Sequence, residues 1–453
     1  RPNQEEVVCN FRTAVDNGRT NLLMYAVMRF GKSFTSLCCA KEMNAKIVLV
    51  VSAKADVREE WKKTVQSADN FNSDYIFLYS DDLSRDKQIV KNTVSGGKGV
   101  VVFLTLQDLQ GDEIKDKHQE IFGNIIDLLI IDETHYGARA EKYGQVLKSF
   151  NYDKDVKDEY SSDDFIEIED ATEQLKELDA RIRLHLSGTP YRILMGSEFA
   201  KDDIIAFCQF SDIVKAQEEW DNEYILHDQK KEWDNPYYGF PQMVRFAFNP
   251  SAAAMQKLQE LKSNGITYAF SALFKPQSIR KPSDGKHKKF IFEEEVLNLF
   301  EVIDGSKEDE NLLSFLDYDK IKDGKMCRHI VCVLPYRASC DALEELLTSN
   351  ADKFKNLQNY TIINISGIDK PNTYKTVQSV KTKIEACEDE DKKTITLTVN
   401  RMLTGSTVEQ WDTMLFFKDT ASPQEYDQAV FRLQNQYVKV YADENGDIIK
   451  YNM

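Results

Sequence analysis

The sequence predicts an α/β protein with two parallel-sheet domains, and three observations support this fold class. Short apolar runs, typical of strands that are buried on both faces, recur along the chain. Segments with helical periodicity separate many of them, as the crossover connections of a parallel sheet require. The pattern begins again at His329 after a less regular interval, residues 200–325, so a second sheet and inserted helical or irregular material are expected.

Length and composition limit the class of protein. A chain of 453 residues is too long for one hydrophobic core, so two or three domains are expected. Hydrophobic residues make up 42% of the chain, and no apolar run approaches the roughly 18 residues that a membrane span needs. The eight cysteines include no C-x-x-C pair, which indicates a reducing, cytoplasmic compartment. Because the sequence starts at Arg1 without a signal-peptide pattern, a fragment of a longer protein is expected.

Charge is spread unevenly along the chain. The formal net charge of −17 disfavours a protein that coats nucleic acid indiscriminately, although it is compatible with a local basic groove. Residues 151–180 hold twelve Asp and Glu against three Lys and are expected to form a solvated or disordered insert. Residues 275–289 hold six Lys and Arg against Asp284 alone, and beside Phe290 and Phe292 they could follow a phosphate backbone. A solvated loop is the alternative for this basic segment.

A buried strand that ends in acidic residues is the first candidate functional element. Leu128 to Ile131 form an apolar run, and Asp132 and Glu133 follow it directly. Ligands of open α/β sheets bind beyond the carboxyl ends of such strands, so the two carboxylates are expected where a phosphate-bound magnesium ion would lie. A strand that simply ends in an acidic turn is the alternative that this stretch alone leaves open.

A phosphate-binding loop is predicted about a hundred residues upstream. It ends in the three residues that the common pattern G-x-x-x-x-G-K-[ST] requires, Gly31, Lys32 and Ser33. Ala26 replaces the first glycine of that pattern. A helix-compatible segment, residues 34–43, and a strand-like segment, residues 46–51, follow, which places the loop at a helix N-terminus, where backbone N–H groups bind phosphate. The loop and the acidic strand together predict a nucleoside triphosphatase.

Polar residues at other strand ends can be interpreted in two ways. Those that could contact a sugar-phosphate backbone or couple it to the nucleotide are Ser52, Lys54, Thr105, Gln107, Ser187 and Thr189. Helix caps and turns are the alternative for each of them. Near the N-terminus, Gln4 precedes a predicted helix, residues 5–17, and its amide could bond an adenine edge. An exposed polar residue is the alternative for Gln4.

The C-terminal part of the chain predicts the second sheet. Strands are expected at residues 329–335, 361–365, 394–399 and 414–417. The helix after the first strand carries the apolar residues Ala342, Leu343, Leu346 and Leu347. A helix over residues 424–434 carries Gln428 and Arg432. Turn residues within 437–450 predict a terminal hairpin.

Taken in chain order, these segments resemble the motifs of the superfamily 2 helicases and translocases of the DExH type. RPNQ is similar to the adenine-reading Q motif, MRFGKS to motif I, VSAK and TLQ to motifs Ia and Ib, IDETH to motif II and SGTP to motif III. VLPYRAS is similar to motif IV, RMLTGST to motif V and QAVFRLQN to motif VI. The resemblance covers nearly the whole chain and is strongest to the motor subunits of type I and type III restriction enzymes.

The resemblance implies two RecA-like domains with ATP and magnesium in the cleft between them. The first domain would comprise residues 1–210, with the acidic insert 151–180. Residues 211–325 would form a linker or accessory insertion that carries the basic segment, and residues 326–453 the second domain of a longer protein.

The resemblance also implies roles for individual residues. The catalytic residues would be Lys32 on the γ-phosphate, Asp132 on magnesium, Glu133 as the base that orients water, and Arg432 as an arginine finger. The residues at the nucleotide would be Gln4, Arg29, Phe30, Gly31, Lys32, Ser33, His135, Gly405 and Gln428. Ser33 and Asp132 would hold the magnesium ion. Nucleic-acid contact or coupling would involve Ser52, Lys54, Thr105, Gln107, Ser187, Thr189 and Thr404.

Two departures from the family pattern affect this hypothesis. Arg29 stands where many members have glycine. In motif VI, usually Q-x-x-G-R-x-x-R, Phe431 stands at the glycine and Asn435 at the second arginine. That arginine is commonly the finger, and its loss could cost roughly three decades in rate unless Arg432 has taken its role.

Three functional hypotheses follow. The first is an ATP-driven translocase on double-stranded DNA, the motor of a restriction-modification enzyme. Its nuclease, methyltransferase or specificity parts would lie outside this sequence, since no PD…(D/E)xK nuclease signature is present. The second, motivated by Asn435, is a scaffold that binds ATP and nucleic acid without productive turnover. The third keeps the motor but makes RNA, the less favoured substrate, or a repair fork its track.

Overall fold

The computed structural model describes most of the chain, in two compact units, Arg1–Tyr238 and Gly239–Met453. The described residues are 1–27, 29–52, 57–109, 118–132, 178–188, 199–225, 230–241, 269–308, 316, 327–369, 373–374, 376–399, 408–419, 426, 429–442 and 448–452. Nearly all of the acidic insert therefore lies outside the described residues. The boundary after Tyr238 falls inside the predicted linker 211–325, and the three-part division of the chain stays a prediction.

The described part of the first unit contains a sheet of seven parallel strands, in the order β3-β4-β2-β5-β6-β1-β7. The strands are β1 Asn21–Ala26, β2 Ile47–Ser52, β3 Tyr75–Tyr79, β4 Gly99–Thr105, β5 Ile126–Asp132, β6 Ala180–Ser187 and β7 Ile204–Cys208. The inner strands are buried on both faces, and for this reason their sequences are continuous apolar runs. The predicted α/β class is confirmed for this unit.

Helices precede, separate and follow these parallel strands. They are α1 Pro2–Asp16, α2 Lys32–Glu42, α3 Arg58–Ser67, α4 Ser80–Arg85, α5 Ile89–Ser95, α6 Gln119–Phe122 and α7 Phe210–Tyr224. The first helix begins at Pro2, three residues before the predicted start at Glu5. Proline is well suited to the first helical position, because its fixed φ is already helical and its missing N–H has no partner to lose there.

The described part of the second unit contains a smaller sheet of four parallel strands, in the order β11-β8-β10-β9. Its strands are β8 His329–Val333, β9 Tyr360–Asn364, β10 Lys393–Thr398 and β11 Thr413–Phe416, and an antiparallel hairpin of β12 Val438–Ala442 and β13 Ile448–Asn452 follows. The helices are α8 Phe270–Leu273, α9 Glu293–Asp304, α10 Arg337–Ser349 and α11 Val377–Asp389. The second sheet and the terminal hairpin are thus confirmed, and the two sheets match the pair of RecA-like domains.

Buried clusters cover both faces of the second sheet. The four apolar residues predicted to face the core from α10 are all buried: Ala342, Leu343, Leu346 and Leu347. Val331, Ile363 and Trp411 belong to the cluster on the other face. Of the predicted helix 424–434, the described residues Tyr426, Ala429 and Val430 are helical, and a 3-10 turn, Phe431–Leu433, follows them. Such tight turns are common where helices end.

Candidate nucleotide-binding site

The predicted phosphate-binding loop connects β1 to α2. The strand ends at Ala26 and the helix begins at Lys32. Gly31 precedes the helix with a φ of 93°, a left-handed conformation that glycine adopts without steric cost. A Cβ atom at this position would lie 2.6 Å from Nε2 of Gln4. Both the backbone conformation and the close approach of Gln4 therefore require glycine here.

Gln4 supports the loop from α1. Its Nε2 donates to the carbonyl of Phe30 at 2.9 Å and to the hydroxyl of Thr35 at 3.2 Å. The hydroxyl of Thr35 donates in turn to the carbonyl of Gly31 at 3.0 Å. Because both hydrogens of Nε2 are used, the amide would reach an adenine edge only through its oxygen. The adenine contact of Gln4 stays a prediction, and support of the loop is the role that the structure shows.

The backbone of Arg29 explains one departure from the family pattern. Its φ is 68°, and this left-handed conformation is costly for a residue with a side chain. Glycine in many similar sequences avoids this cost. Here Arg1 supports the strained turn, because its Nη1 donates to the carbonyl of Arg29 at 3.1 Å and its Nε donates to that of Pro236 at 3.2 Å. Burial lowers the pKa of the Arg1 guanidinium.

Lys32 lies across the mouth of the loop. Its Nζ donates to the carbonyl of Ala26 at 2.8 Å and is 3.4 Å from the carbonyl of Val27. Both carbonyls belong to the residues that start the loop, so the ammonium group is already positioned over the phosphate-binding turn. Ser33 follows in the first turn of α2 and is half-buried.

Asp132 is the last residue of β5, and the strand register places it in a row with the polar end of β2. Asp132 pairs with Ser52 on one side and with Leu186 on the other, and Leu186 pairs with Met24. One strand, β6, therefore separates the carboxylate from the strand that leads into the loop. Two strand spacings correspond to roughly 10 Å. This separation suits a phosphate group and a hydrated metal ion between Lys32 and Asp132.

The carboxylate of Asp132 is oriented by an indole from α3. The Nε1 of Trp61 lies 3.4 Å from Oδ2 of Asp132, and the Trp61 side chain is fully buried. A buried tryptophan N–H needs a polar partner, which this carboxylate provides. Sequence reasoning did not predict this pairing, because the two residues are 71 positions apart in the chain.

Three of the predicted coupling residues have structural partners or are buried. The backbone N–H and the hydroxyl of Thr105 both donate to the carboxylate of Asp108, at 2.8 and 2.7 Å, in the turn that carries the exposed Gln107. Ser52 and Ser187 are buried at the ends of β2 and β6. Thr105 thus forms the turn that was its alternative interpretation. A role in nucleic-acid contact stays a prediction for Ser52, Thr105, Gln107 and Ser187.

The remaining predicted residues of the site cannot be placed. Those that lie outside the described residues are Lys54, Glu133, His135, Thr189, Thr404, Gly405 and Gln428. Their assigned roles stay predictions.

The segment similar to motif VI lies in the second unit. Arg432 is in the 3-10 turn Phe431–Leu433, and its side chain is buried. Asn435 is also buried, and its Nδ2 donates to the carbonyl of Arg432. The sequence presented Asn435 only as the loss of an arginine. The structure shows that its amide supports the turn that holds Arg432.

A neutral histidine lies within the sheet that carries the loop. Nε2 of His185, on β6, donates to Oδ1 of Asn21 on β1 at 2.8 Å. Burial, together with the positive charge of Arg183, lowers the pKa of His185 to about 4. The ring is therefore uncharged at neutral pH and serves the packing between the strands that carry the site.

Two features concern metal and membrane. Within the described ranges, no group of three or more His, Cys, Asp or Glu could hold a metal ion. Magnesium bound to nucleotide usually takes only one or two protein ligands and completes its shell with phosphate and water, so the pair Ser33 and Asp132 fits it. No helix in the described part of the chain combines the length and the apolar character needed to span a bilayer.

Comparison with known proteins agrees with this geometry. Residues 1–192 match the family model described as the res subunit of type III restriction enzymes. This part of the chain is similar to that restriction-enzyme family. The resemblance to restriction-enzyme motors that the motifs indicate is thereby confirmed, and it is a similarity over the first part of the chain.

One curated relative matches almost the whole chain. It is a putative type II restriction enzyme and methyltransferase, C-terminal part, of Mycoplasma pneumoniae, 28% identical over 469 residues. The match covers 97% of this chain and 62% of the relative. Among solved structures, the ATP-dependent type ISP restriction-modification enzyme LlaBIII bound to DNA matches with a TM-score of 0.51 and 12% identity, over 96% of this chain and 27% of that one. This second likeness shows the fold alone.

Proposed function

We propose that this chain is an ATP-hydrolysing motor that moves along double-stranded DNA as part of a restriction-modification enzyme. The observation that carries the proposal is the position of Lys32 and Asp132. Asp132 ends β5 at the carboxyl edge of the parallel sheet, and Lys32 follows the left-handed Gly31 at the same edge, with β6 between the two strands that lead to them. A similar pair serves ATP hydrolysis in the superfamily that the motifs resemble.

In this proposal the loop residues bind the triphosphate. The N–H groups at the start of α2 point toward the position of a phosphate, and the helix dipole favours negative charge there. Lys32 exchanges its contact with the carbonyl of Ala26, now 2.8 Å long, for a phosphate oxygen. A charged acceptor forms the stronger bond, so the exchange is favourable. The roles of Arg29 and Phe30 at the nucleotide are backbone roles in the turn that Arg1 and Gln4 support.

The hydroxyl of Ser33 and the carboxylate of Asp132 would hold magnesium, directly or through water. When bound, it neutralises charge that develops on the phosphates. Trp61 keeps the Asp132 carboxylate directed toward this edge of the sheet. Glu133 orients the attacking water and accepts its proton, and Arg432 stabilises the transition-state charge.

The other assigned residues complete the proposal. His135, Gly405 and Gln428 contact or close over the nucleotide, and Gln4 approaches adenine. Hydrolysis is coupled to the DNA backbone through Ser52, Lys54, Thr105, Gln107, Ser187, Thr189 and Thr404. The protein works in the cytoplasm, and methyltransferase, nuclease or specificity parts belong to the longer protein or to other subunits. The name of the Mycoplasma relative, of which this chain spans 62%, supports an attached methyltransferase.

ATP hydrolysis with and without duplex DNA tests the motor. We expect hydrolysis that duplex DNA stimulates, and a loss of at least about two decades in Lys32→Ala, since a preorganised charge on the transition state is removed. Lys98→Ala is the matched control, because Lys98 is an exposed lysine of the same unit with no ion pair among the described residues. A chain that no duplex, single strand or RNA stimulates would contradict the proposal.

One observation favours the second candidate, a scaffold that binds ATP without turnover. Asn435 replaces the usual second arginine of motif VI, and its buried amide is bonded to the carbonyl of Arg432. Glu133→Gln provides the reference for a site without its base. Tight ATP binding with hydrolysis no faster than in this variant would establish the scaffold. Competition between duplex DNA and RNA for the same protein separates the two motor hypotheses.

A further inference from the structure

The basic segment of the second unit contains a short antiparallel ribbon. Pro276 and Phe290 form an antiparallel bridge. We call the stretches on either side, residues 274–277 and 289–292, the basic ribbon. Because side chains alternate between the faces of such a ribbon, its residues separate into an inward and an outward set.

Two backbone hydrogen bonds fix the register of the ribbon. The N–H of Gln277 donates to the carbonyl of Lys289 at 2.7 Å, and that of Ile291 donates to the carbonyl of Lys275 at 3.0 Å. Lys275 is thus placed opposite Ile291, and Gln277 opposite Lys289. These four residues share the outward face, and the two lysines are diagonal neighbours about 7–8 Å apart.

The inward face is anchored in the core of the second unit. Phe274 and Phe290 are buried, with their ring centroids 5.9 Å apart. Phe274 stacks on Phe417 at 4.8 Å, and its carbonyl accepts a hydrogen bond from the hydroxyl of Ser339 at 2.7 Å. Phe290 thus serves the core of the second unit, and of the two phenylalanines beside the lysines only Phe292 is exposed. The ribbon itself is held in place before any partner arrives.

Three further lysines and a histidine of the basic segment are already bonded to carboxylates. Lys281, His287 and Lys288 converge on Asp369, at 2.8, 3.0 and 2.7 Å. Hydrogen bonds from the two lysines hold the pKa of Asp369 well below its usual range, so the carboxylate stays ionised. Lys286 pairs with Asp284 at 2.9 Å. This pairing ties the loop beyond the ribbon to the second unit and neutralises much of its charge.

The outward face differs from this paired group. Lys275 and Lys289 are exposed, and neither has an ion-pair partner among the described residues. Ile291, on the same face, is 51% exposed, and Phe292, which ends the ribbon and precedes α9, is 44% exposed. The chain as a whole is acidic, with a net charge of −17. This face is locally basic, and exposed apolar side chains lie beside its two lysines, as expected of a surface that binds a polyanion.

We propose that this outward face binds the sugar-phosphate backbone of the DNA on which the motor acts. The proposal rests on the proposed function for the identity of the polyanion. Lys275 and Lys289 are spaced so that their long side chains can each contact a phosphate of one strand. Ile291 on this face, with the exposed Phe292 at the end of the ribbon, provides the apolar surface against which a sugar of the backbone packs. The contact reads no sequence, as a motor that tracks DNA requires.

The salt dependence of duplex binding tests the ribbon. Each phosphate contact contributes about 0.9 to the slope of log affinity against log salt, so Lys275→Gln/Lys289→Gln should lower the slope by about 1.8. At about 0.1 M salt this corresponds to a loss of affinity of several tens of fold. The matched control is Lys353→Gln/Lys383→Gln, which removes two exposed lysines of the same unit that have no ion pair among the described residues. Polyglutamate serves as a second polyanion.

The outcomes separate the ribbon from the motor. The proposal is supported if the ribbon variant loses both affinity and slope for duplex, the control variant keeps them, and both unfold at the wild-type temperature. Wild-type duplex binding that the ribbon substitutions leave unchanged overturns the ribbon alone. A wild-type protein that does not bind duplex overturns both proposals. Loss of polyglutamate binding with duplex binding intact overturns the DNA assignment in favour of an acidic protein partner.

Discussion

The close approach of Gln4 to Gly31 can be measured as an energetic coupling. Gly31→Ala forces a side chain into a left-handed conformation, which costs about 1–2 kcal/mol. The new Cβ would also lie 2.6 Å from Nε2 of Gln4 and displace this amide from Phe30 and Thr35. Two lost hydrogen bonds of about 1 kcal/mol each bring the total to about 3–4 kcal/mol.

The second glycine at a helix end of this unit provides the control. Gly18 has a φ of 78°, and a Cβ atom there would have no neighbour within 4 Å. Gly18→Ala should therefore cost only the backbone term, about 1–2 kcal/mol. The difference of about 2 kcal/mol between the two variants isolates the contact with Gln4.

A double-mutant cycle tests the reasoning. Gln4→Ala alone loses the same two hydrogen bonds, so Gly31→Ala in that background should cost only about 1–2 kcal/mol. Native-state hydrogen exchange of the α2 peptide reports the free energy of opening for this part of the first unit. If Gly31→Ala costs the same in both backgrounds, Gln4 does not support the loop and this account of the turn is refuted.

Three further predictions concern pH, a buried carboxylate and motif VI. The pKa of His185 in the folded protein, about 4, lies below its ordinary value of about 6.5. As the pH falls from 6.5 toward 4, the unfolded chain therefore binds a proton at this site and the folded protein does not, so the free energy of unfolding decreases. The decrease amounts to about 3 kcal/mol, and acid titration of urea unfolding should show a flatter profile in His185→Gln. Asp304 is fully buried, and its carboxylate accepts hydrogen bonds from the backbone N–H groups of residues 355, 356 and 357 at 2.7, 3.0 and 2.6 Å. Asp304→Ala should therefore lower the free energy of unfolding of the second unit by about 3 kcal/mol. An unchanged midpoint of urea unfolding would contradict this role. Asn435→Arg places a charge where a buried amide was, so it should destabilise the second unit by about 2 kcal/mol or more. It should not raise the rate of ATP hydrolysis. Faster hydrolysis in this variant would show that the absence of the second motif VI arginine limits turnover.

The inner strands and the loop could be predicted from the sequence because their burial is local information. The runs that form β2, β4 and β5 are apolar on both faces, so no knowledge of their neighbours is needed. Gly31, Lys32 and Ser33 are likewise recognised within a few residues. Their positions at the carboxyl edge of the sheet then follow from the general rule for parallel α/β structures.

The edge strands were missed because an edge strand is only partly buried. β3 and β7 are short, and β7 exposes Phe207 by 51%. Their sequences, YIFLY and IIAFC, are apolar runs of only five residues, which the pattern alone does not distinguish from a segment of a buried helix. Such strands are defined by the neighbour with which they pair, which the sequence does not contain.

Side-chain pairs between residues far apart in the chain could also not be predicted from the sequence. Asp369 is about 80 residues from the lysines it pairs with, and no local pattern separates Lys281 and Lys288 from the exposed Lys275 and Lys289. Asn435 was interpreted from an alignment of motifs as a loss, whereas its hydrogen bond to the carbonyl of Arg432 depends on the local turn. Charge and motif patterns thus indicated the regions, and the fold decided which side chains remain available.

Displacement of a third strand from duplex DNA tests the central claim most directly. A triplex-forming oligonucleotide is released when a motor moves along the duplex beneath it. We expect release that needs ATP, fails with a non-hydrolysable analogue and is lost in Lys32→Ala but kept in Lys98→Ala. DNA-stimulated ATP hydrolysis that leaves the triplex intact would contradict translocation by this chain.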